Sequence, residues 1–187
     1  MNPSTRHTLA VLVDNESGVL SRVARLFSGK GYNIESLAVG TTDDPAVSRI
    51  TIEVMADEKQ LDLLCNQLRK LICVHSVKAL RPEHAIRREL VLIKVLSGDS
   101  VQRNEIIQIA NIFRASIIDV SKASITLAVI GDESKTEAIQ HLLTEFGILE
   151  LVRTGMVALE RGQYTIDEQT KMKGEFDLGK NIFRDML

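Results

Sequence analysis

The sequence predicts an α+β protein made of two similar βαββαβ halves. Three observations carry this. Apolar residues switch between a period of two and a period of 3.6 in the order strand, helix, strand, strand, helix, strand; the same order recurs further along the chain; and the polar stretch Arg81-Pro82-Glu83-His84 separates the two runs. With 187 residues in all, each half has enough chain for a modest core and is small enough to gain from pairing with another copy.

His7 to Asp14 reads as the first strand. Leu9, Val11 and Val13 alternate there with Thr8, Ala10 and Leu12, and the second set is apolar enough to predict burial on both faces, hence a central strand. From Ser17 the period changes: Val19, Leu20, Val23, Leu26 and Phe27 form one helical stripe opposite Ser21, Arg22 and Arg25, and Gly29 and Gly31 supply the stop. Tyr32 to Gly40 and Val47 to Met55 read as a hairpin around the turn formers Thr41 to Pro45. A second helix from about Asp57 carries Leu61, Leu64, Cys65, Leu68, Leu71 and Ile72 on its inner stripe, and Val74 to Leu80 is the last strand.

In the second half Leu90 to Leu96 is a strand. Ile106, Ile109, Ile112 and Phe113 form a stripe that matches Leu20, Val23, Leu26 and Phe27 at a constant offset of 86 positions. Ser116 to Val120 and Ile125 to Ile130 make a shorter hairpin, and an offset of 75 then relates Thr51 to Thr126, Asp57-Glu58 to Asp132-Glu133, Leu64 to Ile139 and Leu68 to Leu143. Two helices of one amphipathic period share part of such a match, so the halves read as similar in fold and not as demonstrated duplicates. The right-handed crossover rule makes each a split βαβ unit, an antiparallel sheet with two helices on one face. The expected domains are 1–81 and 82–162. Residues 163–187 mix charges with Gly174 and Gly179, only Leu178, Ile182 and Met186 share a helical face, and the stretch reads as a flexible tail.

Composition narrows the function. The net charge is −2, with 23 basic and 25 acidic residues interspersed, and aromatics are 4% with no Trp, which speaks against nucleic acid. No apolar run approaches the roughly 20 residues of a membrane span, and residues 1–7 lack the pattern of a secretory signal, so the expected place is the cytoplasm and no membrane. Cys65 and Cys73 match neither a CxxC nor a zinc spacing and read as buried thiols.

Catalysis needs a converging set of groups, and the sequence offers none. His7, His75, His84 and His141 are dispersed, without an HExxH, GxSxG or phosphate-loop pattern. Asp43-Asp44 falls in a turn, and Asp57-Glu58 and Asp132-Glu133 open helices, where the macrodipole favours negative charge. Neither catalytic nor metal-ligating residues are assigned. The informative segment is Asp14-Asn15-Glu16-Ser17-Gly18, between the first strand and the first helix. One reading makes Asn15 the N-cap of an ordinary helix start. The other notes that Gly18 leaves first-turn N–H groups uncovered, where an amino-acid carboxylate could approach, with Val19 and Leu20 as an apolar wall.

The runs Leu9-Ala-Val-Leu-Val-Asp-Asn-Glu-Ser-Gly-Val-Leu-Ser-Arg-Val, Leu26-Phe-Ser-Gly-Lys-Gly-Tyr-Asn-Ile-Glu-Ser-Leu, Thr42-Asp-Asp-Pro and Ser48-Arg-Ile-Thr closely resemble the regulatory (small) subunits of acetolactate synthase, also called acetohydroxyacid synthase. Ile117-Ile-Asp-Val and Arg153-Thr-Gly-Met-Val-Ala-Leu extend the likeness, which spans about 160 residues and leaves out the segment after Gly162. The resemblance implies two ferredoxin-like domains, the first an ACT domain that binds effector and dimerises. It implies a separate catalytic large subunit carrying thiamine diphosphate, magnesium and FAD, with no cofactor in this chain. This chain would activate that subunit and confer feedback inhibition by valine or another branched-chain amino acid. It also implies a homodimer through the first halves, with the effector between Asn15, Ser17, Gly18, Val19 and Leu20 of one protomer and Asn33 and Ile34 of its partner. A free-standing amino-acid sensor acting on another partner is the alternative function, and an enzyme in its own right would need a polar cluster that only folding could assemble.

Overall fold

Apolar residues on both faces put β1 (Thr5–Asp14) in the middle of the first sheet. In the computed structural model, which describes residues 4–166, β1 pairs antiparallel with β3 (Val47–Ala56) on one side and β4 (Val74–Leu80) on the other. With β2 (Ile34–Thr41) at the edge, the order is β2-β3-β1-β4. Helices α1 (Val19–Gly29) and α2 (Glu58–Leu68) cover one face: Val19, Val23 and Phe27 of α1 and Leu61, Leu64, Cys65 and Leu68 of α2 share a core with Leu9, Val11, Val13, Ile50, Ile52 and Val54. Each such side chain contributes roughly 1.5–3 kcal/mol by leaving water. Burial pushes the Cys65 thiol up to about 11, Asp62 adding to it and Arg69 opposing, and both cysteines are free and buried. Ile72 departs from the expected stripe. It lies past the end of α2 and is 96% exposed, because a helical period stops predicting direction once the chain has turned.

The second sheet repeats the plan. It contains β5 (Ala85–Leu96), β6 (Ser116–Val120), β7 (Ser124–Gly131) and β8 (Ile148–Arg153) in the order β6-β7-β5-β8, with β9 (Val157–Glu160) also paired to β5 and with α3 (Ser100–Ile112) and α4 (Glu133–Thr144) as its helices. Its core joins Val91, Ile93, Val95, Ile125, Leu127 and Val129 to Ile106, Ala110, Ile139 and Leu143. On α3 the buried pair is Ile106 and Ala110, one turn apart, while Ile112 is 77% exposed. A stripe drawn through the bulkiest residues passes over the small one that fits closest to the sheet. At one end of this unit Glu89, 6% exposed, accepts from Thr136 Oγ1 at 2.6 Å and from Arg153 at 2.5 Å, and Arg153 also donates to Gln140 at 2.6 Å.

The described residues fall into two compact units, 4–86 with 158–166 and 87–157, where the sequence alone divides the chain at 81/82 and 162. The reason lies on the face of the first sheet that the helices leave open. There Ala10, fully buried, packs with Leu80, Ala85, Ala158 and Ile166. Strand β9 (Val157–Glu160) leads into this segment. Arg49 donates to the Ala158 carbonyl at 2.7 Å, and Lys78 meets Glu160 at 2.5 Å and the Thr165 carbonyl at 3.2 Å. Burial draws the Arg49 pKa down from its usual value, with Glu160 opposing. Residues 163–166 are thus packed against the first unit, and the rest of the expected tail, 167–187, lies outside the described residues. No helix among the described residues is long and apolar enough to cross a membrane.

Candidate functional site

The turn that joins β1 to α1 is set by Gly18. It stands at φ 84°, in the left-handed region that glycine enters without cost, and it is the N-cap of α1. This corrects the expectation for Asn15, which lies three residues earlier and does not cap the helix. Its side chain is turned to the β2–β3 hairpin instead. Nδ2 donates to the Pro45 carbonyl at 2.8 Å, Oδ1 accepts from Ser48 Oγ at 3.0 Å, and the Asn15 backbone N–H donates to the Ala46 carbonyl at 2.7 Å.

With glycine at the cap, α1 has no side-chain oxygen over its first N–H groups, and no acidic residue stands in its first turn. The other α-helices among the described residues each place a carboxylate there. Asp57 accepts from the Gln60 N–H on α2, Asp99 from Val101 and Gln102 on α3, and Asp132 from Lys135 on α4. Three helix ends therefore carry their own anion, and α1 is open to one from outside. A Cβ added at Gly18 would meet no atom within 4 Å, so the space beside that Cα is open. The equivalent turn of the second half, ending in Asp99, is closed by its own cap, which a similar fold by itself would not have foretold.

Around this opening Ser17 and Gly18 are exposed, and Leu20 is 40% exposed. Val19 does not form the wall expected of it. Its side chain is 3% exposed and belongs to the core, and its backbone N–H donates to the Glu16 carbonyl at 3.4 Å. Asn33 is exposed and donates to Glu35 Oε1 at 2.8 Å, and Ile34, half-buried, begins β2.

The register shows which of these residues one chain brings together. Ile34 is level with Val54, and Val54 with His7, whereas the turn follows Asp14. Seven residues along β1 separate the two places, about 23 Å at the rise of a strand. Asn15, Ser17, Gly18, Val19 and Leu20 therefore form one group, and Asn33 and Ile34 lie at the other end of the same sheet. Beside the turn, His75 Nε2 approaches Asp14 Oδ1 at 2.7 Å. The sequence reading missed Ser48 and Pro45, which fix Asn15. They lie about 30 residues from it, and only the pairing of β3 with β1 brings them to the turn, a relation no local period records. Among the described residues no group of three His, Cys, Asp or Glu side chains is arranged to hold a metal.

Two sheets, each covered by two helices, and one uncapped helix end in the first unit describe a two-domain protein with an ACT-type first half. Two families match in the same division: residues 9–76 match the AHAS small subunit-like ACT domain, and residues 88–162 match the small subunit of acetolactate synthase. The chain belongs to the acetolactate synthase small subunit family. It is 48% identical over 162 residues to the acetolactate synthase small subunit of Mycobacterium bovis, covering 87% of this chain and 95% of that one. It is 44% identical over 166 residues to the probable acetolactate synthase small subunit of Methanothermobacter thermautotrophicus, covering 89% and 98%. The crystal structure of the small subunit from Thermotoga maritima superposes with a TM-score of 0.80 at 38% identity, over 86% of this chain and 99% of that one.

Proposed function

We propose that this chain is the regulatory, non-catalytic subunit of acetolactate synthase. It binds a branched-chain amino acid, valine first among them, and activates and feedback-inhibits a separate large subunit. That partner would carry thiamine diphosphate, magnesium and FAD, and this chain would work in the cytoplasm without a cofactor of its own. The observation that carries the effector reading is the uncapped N-terminus of α1, in a fold whose other helix ends are closed by aspartate. An α-carboxylate suits the first turn of α1, which no side chain caps, and the exposed part of Leu20 suits a short branched side chain.

The homodimer is supported by β2. It is an edge strand, with one side of its backbone ladder open to another strand. Antiparallel pairing of two copies about a two-fold axis sets Ile34 of one opposite Thr41 of the other. Thr41 is level with Ser48 and Val13, at the end of the sheet that bears the turn. A partner's Asn33 and Ile34 would thereby come to the end their own chain keeps them from. The large subunit is supported by family membership.

The test is reconstitution with the catalytic subunit, following acetolactate formation with valine, leucine and isoleucine in turn. Stimulation by this chain, reversed by valine at lower concentration than by the others, is the expected result. One methylene is worth about 1–3 kcal/mol in an apolar pocket, so the three should differ in affinity while all bind. A chain that leaves the catalytic rate unchanged would remove the regulatory assignment. Response to an amino acid together with a different partner would favour the free-standing sensor.

A further inference from the structure

Asn15 is held from two sides in a way that fixes which atom of its amide points where. The Pro45 carbonyl can only accept, so the group 2.8 Å from it is the amide nitrogen, and the oxygen is left to face Ser48 Oγ at 3.0 Å. Ser48 must then be the donor. It is 7% exposed and shares a row of the sheet with Val13 and Thr41, on the face that α1 covers. Asn15 retains one unused N–H and one unused lone pair. These are one donor for a carboxylate and one acceptor for an ammonium group, set in one orientation three residues before the open helix end.

We propose that Ser48 is a positioning residue for the amino-acid effector: its hydroxyl locks the Asn15 amide, and with the Pro45 and Ala46 carbonyls it bolts the effector turn to the β2–β3 hairpin. This rests on the reading that the Asn15–Leu20 turn binds an amino acid, and it adds a residue that itself touches no ligand. Without the Ser48 hydroxyl the amide oxygen loses its partner, and the turn keeps only its links to the two carbonyls. The effector would then have to order a loop that the native protein holds ready.

The test uses the full chain. Valine binding is measured by calorimetry for the native protein, Ser48→Ala and Ser48→Thr, and hydrogen exchange is measured on each without ligand. Loss of the hydroxyl is expected to weaken valine roughly five- to ten-fold, and threonine, which keeps it, to return the affinity to within about two-fold. Exchange in Ser48→Ala should quicken in residues 14–20 and 42–48 and stay as in the native protein across α2 and β4. Unchanged affinity in Ser48→Ala overturns the proposal. So does weakened affinity with exchange raised evenly through the first unit, which would make Ser48 a general support of the fold. If the native protein itself binds no branched-chain amino acid, the effector reading fails first, an outcome distinct from either.

Discussion

At Gly18 a left-handed backbone and open space coincide, so a side chain added there is resisted by conformation and by nothing else in the chain. Asn and Asp are the residues that best tolerate this conformation, at a cost of about 1 kcal/mol. Gly18→Asn and Gly18→Asp should therefore unfold within a degree or two of each other. They should part in binding: Asp adds a negative charge where the proposed effector's carboxylate would sit, and at a few ångströms that repulsion is worth about 1–4 kcal/mol at the dielectric of a protein surface. We expect valine to bind Gly18→Asp at least about ten-fold more weakly than Gly18→Asn. Equal affinity by calorimetry would mean that the carboxylate lies elsewhere. The glycine was legible in the sequence as a place without a side-chain cap; the role of Asn15 was not. An Asn ahead of an apolar stripe reads as a cap. What sends its side chain to the hairpin is the antiparallel pairing that sets Val47 beside Asp14.

Among elements, the contrast lies in how helices and edge strands are secured. α2 has a full capping box between Asp57 and Gln60, worth about 1 kcal/mol, and its position follows from sequence alone. β8 is an edge strand of the second sheet, and Arg153 at its end reaches Glu89 of β5 and Gln140 of α4. Removing the cation strands a nearly buried carboxylate that keeps only the Thr136 hydroxyl. Because Arg153 is itself one-third exposed, Arg153→Met should cost about 2 kcal/mol, below the range for a fully buried pair. Glu89→Gln should cost less, since its carbonyl can still accept. Urea unfolding, with exchange read on β5, α4 and β8, would show a loss confined to this unit, and no difference between the two variants would refute the network's role. The amphipathic stripes located the four α-helices of both units and failed at their margins, at Leu20, Ile72 and Ile112. At the last two the small Ala110 and the turn after Leu68 decide what is buried, and a hydrophobicity pattern carries neither chain direction nor fit.

In the whole molecule the two parts of the proposed effector site stand at opposite ends of one sheet, so on that proposal a second copy would unite them. This gives a complementation test. Gly18→Asp spoils the turn and Asn33→Ala spoils the partner's contribution, and each homodimer should lose valine binding. Mixed chains form heterodimers in which one site takes an intact turn from one chain and an intact Asn33 from the other. With random pairing about a quarter of all sites should return. A site contained in one chain would regain none. The sequence by itself determined the βαββαβ order of both halves, the burial of most core positions and the family likeness, because each of these is written in local period, composition or contiguous motif. Only the tertiary structure decided that Asn15 belongs to the hairpin and that Val19 faces the core. It also decided that residues 158–166 return to the first unit and that Asn33 and Ile34 lie some seven strand residues from the turn. Those four are consequences of register and of contacts between residues distant in the chain, which are fixed when strands pair and not before.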